Sequence, residues 1–272
     1  MTVLKHKFKD DIVFKMLFCK FPHLLKKLVA ELLGIPLESI SEFIITNSET
    51  PPEVYGDKFC RLDINMVVNG QIVDLEIQVS PETDYRERSL YYWSREFSTA
   101  LKKNMTYSEL PRTIVISIVD FEMFDCNEFH SEFHILEINR HTRLTDKFCM
   151  HYFELPKVPK KMSKDNRLQL WLSLFKAKTE EELKEIQSME VEEMEQAIQA
   201  YKEVTVTPEF MEAERLRAKA RHNELSAINK AIDEEKKEDI KSLFDTGLSS
   251  EQIAKALRRP LAEVEKLRTN QQ

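Results

Sequence analysis

Two segments near residue 70 alternate apolar and polar positions with a period of two. In FCRLDINMVV the even positions Cys60, Leu62, Ile64, Met66 and Val68 are apolar, and the odd positions begin Phe59, Arg61, Asp63 and Asn65. In QIVDLEIQVS the odd positions Val73, Leu75, Ile77 and Val79 are apolar, and Asp74, Glu76, Gln78 and Ser80 are polar. Successive side chains point to opposite faces of a strand, so each segment predicts a strand with one core face and one polar face. Asn69-Gly70 lies between them and favours a two-residue type I′ turn. That turn places Val68 opposite Gln71, and the same register sets Asp63 opposite Glu76 and Arg61 opposite Gln78. The apolar faces match as well, Leu62 with Ile77 and Ile64 with Leu75.

Elsewhere in the first half the pattern mixes both periods. DDIVFKMLFCKFPHLLKKLVAELLG predicts helix from Asp10, broken near Pro22 and stopped at Gly34, with acids at the positive end of the helix dipole. Ser41–Thr46 predicts a short strand, and Arg86–Lys103 a helix ending near Asn104. The continuous β-branched run TIVISIV, Thr113–Val119, predicts a strand buried on both faces. Further strands are expected around Phe129–Ile138 and Phe148–Leu155. After Pro156 and Pro159 the segments are almost all helical, which places a boundary near residue 160: one domain over 1–160 and a helical region over 161–272.

A composition 42% hydrophobic and 32% charged is that of a globular chain. Four glycines are too few for Gly-rich phosphate loops. No apolar run approaches the roughly 20 residues of a membrane span, and the N-terminus has no export-signal pattern, so a cytoplasmic protein without membrane contact is expected. Cys19, Cys60, Cys126 and Cys149 are scattered without a CxxC pair and read as free thiols. The net charge of −7 hides an asymmetry. Residues 1–30 hold seven Lys and two Asp (+5), whereas residues 179–214 hold two Lys and twelve Glu (−10). A polyanion is therefore expected at the N-terminal part.

Two carboxylates directly opposite in a hairpin should have Cβ atoms roughly 4.5–5.5 Å apart and repel one another. Asp63 and Glu76 are thus either splayed into solvent or bridged by a divalent cation with hard oxygen ligands. Asp63 followed by Glu76-Ile77-Gln78 resembles the Asp…(Asp/Glu)-x-Lys core of the PD-(D/E)xK nuclease superfamily. The longer set DIVFKMLF, DKFCRLDINMVVNGQIVDLEIQ, RSLYYWSREFS and TIVISIVDF, in that order over roughly residues 8–125, resembles the recombination-promoting nuclease/transposase family within it. The resemblance implies an α/β restriction-endonuclease-like core with a central mixed sheet flanked by helices, plus a C-terminal all-helical appendage. It also implies Mg²⁺ or Mn²⁺ held by Asp63, Glu76 and the backbone carbonyl of Ile77, with DNA as partner and phosphodiester hydrolysis as the reaction. Gln78 stands where most of the superfamily has Lys, and the family resembled often has Gln there. Leu62 stands where the superfamily has Pro. Asp11 matches the acid on the first helix that completes such sites, and equally suits a helix N-terminus.

Lys15 shares a helix face with Asp11. With Arg61, and with Arg88, Tyr92 and Arg95 along the stripe that begins at Tyr85, it forms the candidate nucleic-acid contact set. The complementary face of that helix carries Leu90, Phe97 and Leu101. His130 and His134 share a strand face, and a structural role is the ordinary reading. At the C-terminus, TGLSSEQIAKALRRPLAEVEKLR predicts two short helices, capped by Ser249 or Ser250 with Gln252. They resemble a helix-turn-helix, but the two Glu of LAEVEKLR suit a protein or homo-oligomer contact at least as well. The expected function is a metal-dependent DNA endonuclease. The alternative is a catalytically weak DNA-binding or oligomeric scaffold with a degenerate nuclease core.

Overall fold

The computed structural model describes residues 2–46 and 64–269. Arg61 and Asp63, with the rest of the strand expected before Ile64, lie outside the described residues.

The chain opens with α1 (Asp11–Lys20) and α2 (Pro22–Leu33). Pro22 occupies the first turn of α2, where its missing N–H costs nothing. Gly34, at φ 63°, ends the helix in the left-handed conformation that glycine adopts without strain. Strands β1 (Phe43–Ile45), β2 (Ile64–Val68) and β3 (Gln71–Gln78) follow, then α3 (Tyr85–Thr99). Strands β4 (Thr113–Val119), β5 (His130–Phe133) and β6 (Phe148–Glu154) complete a six-stranded sheet in the order β1-β2-β3-β4-β6-β5. The pairs β3–β4 and β4–β6 are parallel and the others antiparallel, so the sheet is mixed, as expected.

The hairpin forms in the expected register. Val68 pairs with Gln71, and the ladder runs to Ile64 opposite Leu75 at the limit of the described strand. Asn69 (φ 49°) and Gly70 (φ 75°) both take the positive φ of a type I′ turn. The Asn69 side chain adds a second function. Its Oδ1 accepts from the backbone N–H groups of Ser41 (2.9 Å) and Glu42 (3.1 Å), and its Nδ2 donates to the Ser39 carbonyl (2.8 Å). One residue thus closes the hairpin and fastens the segment leading into β1.

On one side of the sheet Ile64, Met66, Val73, Leu75, Ile114 and Ile116 pack against α1 and α2. Helices α4 (Arg167–Lys176), α5 (Glu180–Gln187) and α6 (Glu192–Val204) share this core through Trp171, Phe175, Leu183, Ile186, Met194 and Ile198. The change of composition near residue 160 therefore falls inside a compact unit that continues to Glu214. The acidic run forms amphipathic helices whose apolar stripes are buried.

The other side is covered by α3, through a cluster of Tyr85, Val115, Val119, Phe148, Met150 and Tyr152, with Trp93 packed against it. The expectation of an open polar face on the hairpin is corrected here, because Asp74 and Glu76 on β3 are buried. So is the expected orientation of α3. Leu90 is 49% exposed, whereas Tyr85 and Ser89 face the sheet.

A second compact unit, Arg215–Gln272, comprises most of α7 (Pro208–Asp245) with α8 (Ser250–Ala256) and α9 (Leu261–Thr269). Ile240, Ile253, Ala254 and Val264 form its small core. Ser249 caps α8, its Oγ accepting from the Gln252 N–H while Gln252 reaches back to the Ser249 N–H, the reciprocal capping box read from the sequence.

Candidate functional site

The parallel register places Glu76 beside Ser117 and Ser117 beside Tyr152 on the face covered by α3. A carboxylate taken out of water is costly unless hydrogen-bonded or paired. Glu76 is 8% exposed, and its Oε2 accepts a hydrogen bond from the Tyr85 hydroxyl at 3.1 Å. Tyr85 occupies the first turn of α3 and is 1% exposed. Burial, reinforced by the neighbouring Glu76 charge, raises its phenol well above the usual value. The hydroxyl thus remains a donor at any physiological pH. On the same face Ser89 of α3 and Tyr152 of β6 share a hydrogen bond of 2.6 Å, which ties the helix to the sheet.

Gln78, at the end of β3, is held on both sides of its amide. Nε2 donates to the Ser80 carbonyl (2.9 Å) and to Glu82 Oε1 (3.0 Å). Its Oε1 accepts from Arg88 Nη2 at 3.0 Å, and Arg88 also pairs with Glu82. The guanidinium lies 4.8 Å from the Tyr85 ring centroid and 5.8 Å from that of Tyr92, so two aromatic faces cradle it. Partial burial opposes its charge, but Glu82 and Glu76 outweigh burial and raise its pKa. A permanent cation from α3 thus stands beside the residue that occupies the usual lysine position. Helical spacing on α3 brings it there, and no local motif around Gln78 announces it.

Other sequence candidates are placed differently. Asp11 opens α1, and its Oδ1 accepts from the Ile12 N–H at 2.8 Å. Helix α1 packs on the sheet face opposite Glu76, but the chain just before it approaches the C-terminal ends of the central strands. Lys9 is paired with Asp120, whose backbone N–H donates to the Gln78 carbonyl at 2.9 Å. Lys9 and Asp120 escaped the sequence reading because 111 residues separate them. Ile77 lies between Glu76 and Gln78 and pairs with Ile118. Tyr92 is half-buried beside Arg88, and Arg95 is exposed one turn further along α3.

Lys15 is 3% exposed and lies among the buried residues of α1. Lys20 pairs with Glu203 at 2.8 Å and Lys5 with Glu214 at 3.8 Å, so the acidic helices offset part of the N-terminal charge. The apolar stripe of α6 docks beside α1, and this brings the two charge runs together.

A mixed sheet with helices on both faces, and an acid followed two residues later by Gln at the end of its central hairpin strand, define the restriction-endonuclease-like α/β fold. Within that class the chain belongs to the PD-(D/E)XK nuclease family transposases, whose family model matches residues 8–231. No curated protein and no solved structure matches the chain. The family supports a nuclease or mobile-element role. Among the described residues no helix is long and apolar enough to cross a membrane.

Nucleases of this class use divalent metals. The donor described on β3 fits a hard cation: the buried Glu76 carboxylate, one oxygen of which accepts from Tyr85.

Proposed function

We propose that the chain is a Mg²⁺- or Mn²⁺-dependent endonuclease that hydrolyses DNA phosphodiesters, acting in the cytoplasm in recombination or mobile-element biology. Asp63, Glu76 and the Ile77 carbonyl hold the ion in this reading, and Asp11 completes the site. The ion, when bound, contributes positive charge at the scissile phosphate and makes water more acidic. Tyr85 is a positioning residue that keeps one Glu76 oxygen hydrogen-bonded and the other oriented. Arg88, anchored through Gln78, is the cation that offsets charge developing on the phosphate, the task a lysine at position 78 would perform. Arg61, Tyr92 and Arg95 extend the path for the nucleic-acid backbone.

The observation that carries this reading is the buried Glu76 carboxylate, hydrogen-bonded by Tyr85 and one residue removed from the Gln78–Arg88 pair. A fold selected for stability alone would rarely bury an acid beside a phenol and a guanidinium on a sheet face.

The second reading, a DNA-binding or oligomeric scaffold with a degenerate core, draws on the full engagement of the Gln78 amide by Ser80, Glu82 and Arg88. The exposed Leu225, Ile228 and Ile232 on α7 also suit a contact between copies through the C-terminal helices. In this proposal the sheet and helices within residues 1–160 carry the chemistry, α4–α6 complete their core, and the helices of the second unit carry binding or assembly.

Supercoiled plasmid incubated with wild type, Asp63→Ala and Glu76→Ala, each in Mg²⁺, Mn²⁺ and EDTA, separates the two readings. Nicking that requires metal and disappears in both variants supports the nuclease. Equal nicking by all three proteins removes the site assignment, and none by any of them on several DNA forms favours the scaffold.

A further inference from the structure

On the sheet face opposite Glu76, the edge strand β5 and its neighbour β6 bring together five side chains of metal-ligating type. Glu132 pairs with His151 across the antiparallel ladder, and Cys149 lies two residues before His151 on the same face. The Cys149 Sγ is 3.2 Å from His151 Nε2 and 3.7 Å from Glu132 Oε1, and the three ligand atoms all lie within 4.8 Å of one another. Around a tetrahedral zinc ion with ordinary Zn–S, Zn–N and Zn–O bonds, neighbouring ligand atoms stand about 3.4–3.6 Å apart. The triad is therefore close to coordination spacing before any ion is added.

We propose that Glu132, Cys149 and His151 form a second metal site, for Zn²⁺ or a similar borderline-soft divalent ion, distinct from the Glu76 site.

The neighbouring groups orient these ligands. His151 Nδ1 is 3.0 Å from His130 Nε2, which leaves His151 Nε2 to point its lone pair towards Cys149 and Glu132. The His130 ring is stacked on Phe153 with centroids 4.3 Å apart, and this fixes its plane. His134 Nε2 lies 2.6 Å from Glu132 Oε1, and its Nδ1 lies 3.1 Å from the Phe148 carbonyl oxygen, so the carboxylate is braced from outside. Partners of this kind fix the tautomer and direction of a metal ligand. Burial lowers His151 to about 4, which leaves the imidazole neutral and able to ligate at pH 7.

Burial raises the Cys149 thiol, while the Arg112 guanidinium beside it favours the thiolate. Binding of the ion ionises the thiol and releases its proton to solvent. Sulfur and imidazole donors select zinc over magnesium, whereas the all-oxygen donors proposed around Glu76 do the reverse. Cys149 and His151 are buried, but Glu132 is exposed at the sheet edge, so an ion can enter from solvent and a water can take the fourth position. An occupied site would clamp the short edge strand β5 to β6.

The test uses the full chain, stripped with chelator, dialysed and titrated with Co²⁺. The expected result is a tetrahedral visible spectrum with a thiolate-to-cobalt charge-transfer band, saturating at a single ion per chain and displaced by Zn²⁺. Cys149→Ser should abolish the charge-transfer band, while Cys126→Ser and Glu76→Ala should keep it. A wild type without the band overturns the proposal, as does a band unchanged in Cys149→Ser or lost in Glu76→Ala. Should Cys149→Ser fail to fold by circular dichroism, Glu132→Gln decides. It changes an exposed edge position, retains the buried thiol, and should weaken Co²⁺ binding by ~10-fold or more. Unchanged affinity overturns the assignment. The outcome is independent of nuclease activity.

Discussion

Tyr85→Phe isolates the hydrogen bond on which the Glu76 geometry depends. The substitution deletes one hydroxyl and keeps the ring, which packs edge-on to Phe121 at 6.0 Å and lies under the Arg88 guanidinium at 4.8 Å. The surrounding cluster should therefore survive. At 1% and 8% exposure, neither Tyr85 nor Glu76 leaves room for bulk water to replace the lost donor. A hydrogen bond to a charged group contributes about 1.5–3 kcal/mol, and each 1.4 kcal/mol is about a factor of ten in an equilibrium constant. The bond orients a carboxylate that, under the proposed function, ligates the ion, so its loss should weaken metal binding by roughly 10- to 100-fold. The assay is plasmid nicking as a function of Mn²⁺ concentration, with direct Mn²⁺ binding by calorimetry and a thermal melt as fold control. Half-maximal activity should move to at least ~10-fold higher Mn²⁺, and saturating metal should restore most of the rate. An unchanged metal dependence in a folded variant refutes the argument, and so does a rate loss that no concentration of metal repairs.

Three further outcomes follow from particular contacts. Arg88→Gln should slow nicking by on the order of 10- to 100-fold, less than for a fully enclosed cation because the side chain is partly exposed. Arg88→Lys should retain more activity, and equal rates for wild type and Arg88→Gln would remove Arg88 from the proposed chemistry. Asn69→Ala should cost about 1–3 kcal/mol in urea unfolding, since it strips four side-chain hydrogen bonds from a residue at φ 49°. A loss below about 0.5 kcal/mol, within the range of ordinary surface substitutions, would show that the Asn69 side chain is dispensable. The buried Tyr201 phenol donates to the His6 carbonyl at 2.6 Å, and burial with the nearby Glu180 and Asp10 raises it from 10 to about 12. A raised phenol favours the protonated fold, so this stabilisation is complete below pH 10 and is lost as pH climbs towards 12. Alkaline denaturation of wild type should be steeper across that window than that of Tyr201→Phe, and identical curves would contradict the assignment.

Much of this architecture is legible in residue order because its causes are local. Asn69-Gly70 needs only its own positive φ values to close the hairpin, and period-two alternation then sets the register down to Ile64 opposite Leu75. The apolar run of β4, buried along its whole length, and the capping box at Ser249 are local in the same way. The alternation also puts Glu76 and Gln78 on one face of one strand. Whether that face meets water depends on what packs above it, and polarity misleads there. The buried side of α3 carries Tyr85 and Ser89, whose hydroxyls bond to Glu76 and Tyr152, so a face that reads as hydrophilic is interior and Leu90 is turned outward.

The remaining groupings join residues far apart in the chain. Arg88 reaches Gln78 across a turn, Lys9 reaches Asp120 across 111 residues, and Lys20 finds Glu203 only because α6 docks beside α1. His130 and Glu132 alternate on one strand with His134 just past its end, and Cys149 and His151 alternate on another, each an ordinary pattern alone. Only the antiparallel pairing of β5 with β6 puts Glu132 against His151 and converts two patterns into one cluster. Local conformational preference and hydrophobic period thus determine the elements and their faces. Which polar groups are buried together is decided by tertiary packing, because hydrogen-bond and coordination distances are set by pairing and docking across the fold.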